Sequence, residues 1–299
     1  MASLVPPIKC QGIKTKLIPS LKKIVPSFDS ISGRWIEPFC GSSVVALNLR
    51  PTNALLSDTN LHIIRFYEDV RSGEITSGIV RSHLEQENEK LRKGGQNYFN
   101  EVRSRFNEDG EPLDFLFLNR SCFNGVMRFN GKGKFNVPFC HKPERFSPAY
   151  ITKITNQVRS MQDVLSISNW HYSVNDFRSA LDKATEDDFV YVDPPYFGRH
   201  ADYFNSWSMT DEDDLTYWLK ESPCRWALST WHSNEFRENE TAIYWEALGY
   251  YSYKIKHFYH VGASEDLRHP MIEAIFTNFD PKIEEEKAEE QPANLSLFE

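Results

Sequence analysis

Apolar positions along this chain fall into two textures. Short runs rich in β-branched and aromatic residues alternate with longer, charged stretches of helical character. The runs at Arg34–Glu37, Ala54–Asp58, Trp170–Val174, Phe189–Val192 and Arg225–Thr230 predict strands. The segment 251–279 predicts a closing antiparallel pair. Between them, an amphipathic helix is expected around Lys14–Ile24, after an extended start at Pro6-Pro7. Residues 61–112 should be mainly helical, punctuated by Gly94 and Gly95, and a further helix is expected near 148–166. At least five strands alternating with helices specify an α/β sheet.

The strand at 189–192 organises the rest. It runs into Asp193-Pro194-Pro195-Tyr196, where two prolines end the ladder because neither can donate to it. The residue before a proline is pushed to an extended backbone, so Asp193 sits on a stiff loop. Ligands of open α/β sheets bind at the carboxyl ends of strands. A carboxylate, free carbonyls and an aromatic ring at such a place suit an exocyclic amine on a planar ring.

Other strand ends carry compatible chemistry. Glu37-Pro38-Phe39-Cys40-Gly41-Ser42-Ser43 is a small-residue turn between a strand and a helix, which lets a ligand approach the backbone. Asp58 closes the next strand at the spacing of about 20 residues that marks an acid binding ribose hydroxyls, although it also suits a helix N-cap. Asp176 and Phe177 offer a carboxylate for an amino group and a face for a ring; a helix cap and a core Phe are the plainer reading. From 113 to 140, turn signals at Phe123-Asn124-Gly125, Asn130-Gly131 and Gly133 lie between aromatic and basic residues, which suggests a β-hairpin or loop array. Such a segment reaches base edges and phosphates, or serves as a protein-binding hairpin. Phe197–Ser208 has the composition of a lid.

The net charge of −8 argues against nucleic acid until its distribution is read. Residues 281–299 hold six glutamates against Lys282 and Lys287. The first 28 residues hold five lysines and no acid, and Phe115–Phe146 holds six Lys/Arg and one acid. Phosphate contacts need such local patches whatever the total. Five widely spaced cysteines without a Cys-x-x-Cys pair argue for free thiols and against a zinc site, so no metal is expected. No transmembrane-length run and no signal-peptide h-region is present, and a cytoplasmic, membrane-free location follows as an expectation.

The ordered set EPFCGSS (37–43), LLSD (55–58), NDF (175–177) and VDPPY (192–196) resembles the α-group amino-methyltransferases. The stretch NRSCFNGVMRFNGKGKFNVPF (119–139) narrows the resemblance to the Dam-like, D12-class adenine-N6 DNA methyltransferases, and within them to EcoRV-type modification enzymes. The resemblance spans roughly residues 5–279 and implies a Rossmann-like mixed sheet with a helical and β-hairpin DNA-recognition insertion. It implies S-adenosylmethionine as methyl donor and a flipped adenine in duplex DNA as acceptor, with a GAT-containing site, GATATC or GATC. N4-cytosine or RNA adenine methylation and an inactive DNA-binding relative are the alternatives.

Carried over by position, the resemblance makes Asp193, Pro194, Pro195 and Tyr196 the catalytic loop. Lys14, Glu37, Phe39, Gly41, Asp58, Asp176, Phe177 and Asp193 become donor-binding, with Cys10 standing where many of these enzymes carry an aromatic. Arg120, Asn124, Arg128, Asn130, Lys132 and Lys134 become DNA-binding. Residues 1–60 and 148–279 would form the catalytic domain, 61–147 the target-recognition domain and 280–299 an acidic, disordered tail. The peptide Asn294-Leu295-Ser296-Leu297-Phe298 resembles bacterial sliding-clamp-binding peptides, with Asn where Gln is usual. The protein is expected to be a monomer in solution.

Overall fold

The computed structural model describes residues 3–196, 207–258 and 270–281. Seven strands form one sheet: β1 (Trp35–Glu37), β2 (Asn53–Asp58), β3 (Asn169–Val174), β4 (Phe189–Val192), β5 (Arg225–Asn234), β6 (Tyr251–Phe258) and β7 (Pro270–Thr277). Their order is β3-β2-β1-β4-β5-β7-β6, parallel throughout except for β7, which runs antiparallel to both neighbours. This is the mixed, Rossmann-like sheet the resemblance implies, and 251–279 supplies the expected antiparallel pair. The order reverses between β1 and β4, and a crevice opens at such a switch point beyond the carboxyl ends. Those ends are Glu37 and Val192, so the turn at 38–43 and the Asp193–Tyr196 loop face each other across it.

The central strands are buried on both faces, which is why they lack a polar alternate. Trp35 stacks on Phe189 at 5.2 Å and on Tyr191 at 5.9 Å on one face. Ile36, Val190 and Val192 pack on the other. At the start of β4, the Asp188 carboxylate accepts from the Arg34 backbone N–H (2.6 Å), Arg34 Nη2 (2.7 Å) and the Thr185 N–H (2.9 Å). Burial raises this carboxyl, but the Arg34 and Thr185 hydrogen bonds outweigh it and hold it below the usual range. A depressed carboxyl gives stability above its unfolded pKa that is lost as pH falls through the lower folded value. Asp188→Ala should therefore cost about 2 kcal/mol at neutral pH. Urea melts at pH 7 and pH 3 check this: the gap from wild type should narrow at the lower pH.

The insertion is more helical than the sequence suggests. Between β2 and β3 lie α3 (Leu61–Ser72), α4 (Ser77–Asp109), α5 (Pro112–Ser121) and α6 (Pro148–Leu165). α4 breaks at Gly95, whose backbone is non-helical (φ 53°, ψ −128°), at the punctuation the glycines marked. The stretch from 113 is not yet a hairpin: Pro112 opens α5, and its Phe-Leu-Phe-Leu run is buried all round. A short apolar run carries no period that separates a core helix from a strand. Turn chemistry takes over only after Cys122. There, bridges Cys122↔Phe139 and Phe129↔Phe135 make an irregular hairpin without a continuous ladder.

The N-terminal segment straps this insertion to the sheet. Asn48, on α2 (Val44–Leu49), exchanges hydrogen bonds with the Leu4 backbone, and Asn119 does the same with Lys9 at 2.8 and 2.9 Å. A 3-10 turn (Thr15–Leu17) follows, and the helix expected from Lys14 begins only at α1 (Ile18–Ile24), with Pro19 in its first turn.

Candidate active site at the carboxyl edge of the sheet

A cavity of about 320 Å³ opens at the switch point. One wall comes from the N-terminal strap (Cys10, Gln11, Gly12, Lys14), and a second from the turn after β1 (Pro38, Phe39, Gly41). The end of β2 and start of α3 add Asp58, Thr59, Asn60 and Ile63. Asp176 and Phe177 follow β3, and Asp193, Pro194, Pro195 and Tyr196 follow β4.

The floor is an ion pair. Lys14 Nζ lies 2.9 Å from Asp193 Oδ1 and donates to Tyr196 Oη at 3.0 Å and to the Gly12 carbonyl at 3.1 Å. Lys14 is buried, and the Asp193 side chain is 21% exposed. Ser229 on β5 donates to the same Asp193 Oδ1 at 3.1 Å and meets Tyr191 Oη at 2.9 Å. Burial works to lower the Lys14 pKa, but Asp193, with Tyr196, Glu273 and Tyr191, raises it well above the ordinary value. Lys14 is thus a fixed cation and no base. Burial raises the Asp193 carboxyl, and Lys14 opposes that rise.

Across the cavity, Asp58 accepts from the Gly41 N–H at 3.0 Å and the Asn60 N–H at 2.9 Å. Gly41 holds φ +46°, a backbone that favours glycine. The helix cap that Asp58 might have been is Asn60, whose side chain accepts from the His62 N–H at the start of α3. That leaves Asp58 as a linchpin between the two turns. Asp176 does cap a helix, α7 (Phe177–Leu181), and also lines the cavity. Phe39, Phe177 and Trp207 form an aromatic cluster with centroids 5.3–5.5 Å apart. The Trp207 indole N–H donates to Glu212 at 2.6 Å, on α8 (Met209–Glu221).

The structure gathers most of the residues named from sequence. Cys10, Lys14, Phe39, Gly41, Asp58, Asp176, Phe177 and the whole Asp193–Tyr196 loop share the cavity. Glu37 stands behind it, 2% exposed, accepting from Trp35 Nε1 at 2.7 Å, and burial pushes its carboxyl to about 8. Asn124, Asn130, Lys132 and Lys134 are exposed on the irregular hairpin, and Arg128 is half-exposed beside Asn136.

Arg120 does not stand on that surface. It is 3% exposed, and its guanidinium donates to the Pro7 carbonyl at 2.6 Å and to Gln157 at 2.5 Å. It fastens the strap that carries Lys14, and the expectation of a DNA contact there is corrected. Trp207, Asp211, Asn60 and Met127 line the cavity without having been singled out from sequence. Met127 reaches it from the hairpin, its sulfur 3.6 Å from Asn60 Nδ2. An Asn three residues before an apolar helix face signals a cap, but nothing in the sequence marks a lone Trp after a loop. The lid expected at 197–208 lies outside the described residues up to 206. Among the described residues, His83, Glu87 and Asp114 offer metal-ligand atoms within 4.8 Å of one another. Arg105 binds both carboxylates and Lys90 pairs with Glu87, so cations already hold that cluster.

A family model described as D12 class N6 adenine-specific DNA methyltransferase matches residues 11–261. Type II methyltransferase M.FokI of Planomicrobium okeanokoites is 26% identical over 91% of this chain, which spans 42% of that protein. DNA adenine methylase of Serratia marcescens is 31% identical over 70% of this chain and 76% of its own length. Among solved structures, the rRNA methyltransferase aviRa from Streptomyces viridochromogenes covers 92% of this chain and 89% of its own, at 10% identity and a TM-score of 0.35. That level of likeness carries no argument.

Proposed function

The chain belongs to the D12 class N6 adenine-specific DNA methyltransferases, and from that premise we propose that it methylates N6 of an adenine flipped out of duplex DNA. S-adenosylmethionine is the donor in this reading, and the site contains GAT, as GATATC or GATC. The observation that carries it is the Lys14–Asp193–Tyr196 floor facing Asp58, Asp176 and Phe177 across one cavity.

The cavity suits the donor in volume and in chemistry. Asp58 would hold the ribose hydroxyls, Asp176 and the Phe39–Phe177–Trp207 cluster would hold the adenine moiety, and the turn at Phe39–Gly41 would hold the methionine end. When bound, it supplies an electrophilic methyl group on a sulfonium.

The chain's own residues prepare the nucleophile. The N6 lone pair is delocalised into the purine ring, so the amine attacks poorly unless its geometry changes. Lys14 and Ser229 both engage Asp193 Oδ1, and Oδ2 is the oxygen that receives one N6–H. The Pro194 carbonyl receives the other. Two acceptors draw the nitrogen toward tetrahedral geometry and aim its lone pair, so positioning and electrostatics supply most of the rate. The fixed positive charge on Lys14 opposes the rise that burial gives the Asp193 carboxyl, and the proton departs to water after transfer. Tyr196, held by Lys14 at its hydroxyl and 5.1 Å from its ring centroid, gives the flipped base a face to stack on. Flipping costs a few kcal/mol, which that stacking partly offsets.

The irregular hairpin reads the site in this account. Arg128 and Asn130 reach base edges, and Asn124, Lys132 and Lys134 reach phosphate or sugar. Residues 1–60 and 148–279 serve as catalytic domain and 61–147 as recognition domain. Single-molecule sequencing of DNA from cells expressing the protein should show N6-methyladenine in one GAT-containing motif. N4-methylcytosine, or no modified base, would overturn the reading.

The peptide Asn294–Phe298 lies outside the described residues. It serves, in the same reading, as a tether to a sliding clamp, raising local concentration on DNA without touching the site. Leu297→Ala with Phe298→Ala should weaken binding to purified clamp at least tenfold, as apolar anchors dominate such peptides; unchanged binding removes the tether.

A further inference from the structure

Two buried hydroxyls stand behind the Asp193 carboxylate, Tyr191 on β4 and Ser229 on β5. The register between these strands pairs Tyr191 with Ala227 and Val192 with Leu228, so one further step sets Asp193 level with Ser229. Successive side chains on a strand point to opposite faces. Tyr191 and Ala227 pack in the core on one side of the sheet, Val192 and Leu228 in the core on the other. Tyr191, Ser229 and Asp193 therefore meet on one face. Tyr191 Oη lies 2.9 Å from Ser229 Oγ, which donates to Asp193 Oδ1 at 3.1 Å.

The chemistry fixes which way these hydrogens point. Paired with the Lys14 ammonium at 2.9 Å, the Asp193 carboxylate can only accept. Ser229 has a single O–H, and Asp193 receives it, so the Ser229 oxygen must accept from Tyr191. Burial holds the Tyr191 phenol well above its ordinary pKa, and it keeps the proton it donates. A serine hydroxyl otherwise rotates to whichever acceptor is near. The bond from Tyr191 removes that freedom.

Asp193 needs such a stop. The last torsion of an aspartate is broad and two-fold, so either oxygen can face the cavity. A lysine ammonium is a point charge on a long stem and can follow either one. Ser229 cannot, because β5 is paired on both sides, with β4 and with β7. Resting on the methyltransferase reading, we propose that Ser229 and Tyr191 are positioning residues for Asp193. Tyr191 orients the Ser229 hydroxyl, and Ser229 holds Oδ1 in place so that Oδ2 meets the amine hydrogen of the target adenine. Neither residue touches substrate.

Asp193 titrates among groups from every element packed on it: Lys14 from the strap, Glu37 from β1, Tyr191 and Tyr196 from β4 and its loop, and Glu273 from β7. Burial raises its carboxyl, and the Ser229 hydrogen bond opposes that rise. Loss of the Ser229 hydroxyl should move the Asp193 midpoint to higher pH.

The test compares wild type, Ser229→Ala, Tyr191→Phe and the double variant in the full chain. Three quantities are read: kcat at saturating DNA and S-adenosylmethionine, the Kd for S-adenosylmethionine, and the Asp193 midpoint by carbon-13 NMR of labelled aspartate, assigned with Asp193→Asn. Ser229→Ala should lower kcat at least about tenfold and Tyr191→Phe at least about threefold, as a catalytic group loses its orientation. Each Kd should stay within about threefold of wild type, since Asp58, Asp176 and Phe177 lie on other strands. The double variant should turn over within about twofold of Ser229→Ala, because Tyr191 acts only through Ser229. The proposal is overturned by an unchanged kcat in either folded single variant, by additive losses in the double variant, or by a parallel loss of cofactor affinity. If Ser229→Ala fails to fold, Tyr191→Phe decides: slower turnover at unchanged Kd supports the proposal, and unchanged turnover overturns it. A wild type that transfers no methyl group sinks the methyltransferase reading instead. The Asp193 midpoint then still tests the hydroxyl chain, and a midpoint unmoved in Ser229→Ala overturns it.

Discussion

Replacing Asp193 with Ala is expected to abolish methyl transfer, lowering kcat by at least about 10³-fold, because the acceptor that orients the amine disappears with its charge. Asp193 Oδ1 anchors Lys14 at 2.9 Å and receives Ser229 at 3.1 Å. Its loss therefore also leaves a buried ammonium without its counter-ion. Asp193→Asn separates the two effects: the amide keeps the shape but offers N6–H one acceptor fewer and a competing donor. Both variants should still bind S-adenosylmethionine within about tenfold of wild type, since Asp58, Asp176 and Phe177 lie on other strands and one lost contact is worth about 1.5 kcal/mol. Calorimetry beside single-turnover rates reads the split. Near-normal turnover in either variant would remove Asp193 from the chemistry.

The second large effect belongs to Asp58. Two charge-assisted hydrogen bonds to ribose hydroxyls are worth about 1.5–3 kcal/mol each, so Asp58→Ala should raise the cofactor Kd by about 10²-fold or more. The same carboxylate holds the Gly41 and Asn60 N–H groups, so its removal also slackens both turns. Asp58→Asn should lie between Ala and wild type. The rate at saturating cofactor should drop far less than the affinity, because Asp58 ends β2 and belongs to a different wall of the cavity from the Asp193–Tyr196 loop. A Kd within threefold of wild type would contradict the ribose assignment.

Much of this site was legible because its residues sit at strand ends, where sequence periodicity stops and polar residues begin. Asp58, Asp176 and Asp193 each follow an apolar run, and the sheet order brings those ends to one crevice. Lys14 was legible only through resemblance, since a lysine in a basic N-terminal segment has no signature of burial. Glu273 was illegible: nothing in the run PMIEAIF distinguishes a solvated strand residue from a buried one until register places it. Arg120 misled for the opposite reason. Its basic, turn-rich neighbourhood suggested a surface, but the apolar helix α5 ends there and turns the guanidinium inward onto the strap. Trp207 lies near the end of the stretch whose composition predicts a lid, and its place in the cavity depends on Glu212 one turn into α8. Composition alone carries no such tertiary partner.

The most direct test uses purified protein, duplex DNA containing GATATC and GATC, and S-adenosylmethionine labelled with tritium in its methyl group. The DNA is then digested to nucleosides and separated. Label should appear in N6-methyldeoxyadenosine with wild type and be absent with Asp193→Ala. Label in N4-methyldeoxycytidine, no transfer by wild type, or equal transfer by the Ala variant would contradict the account.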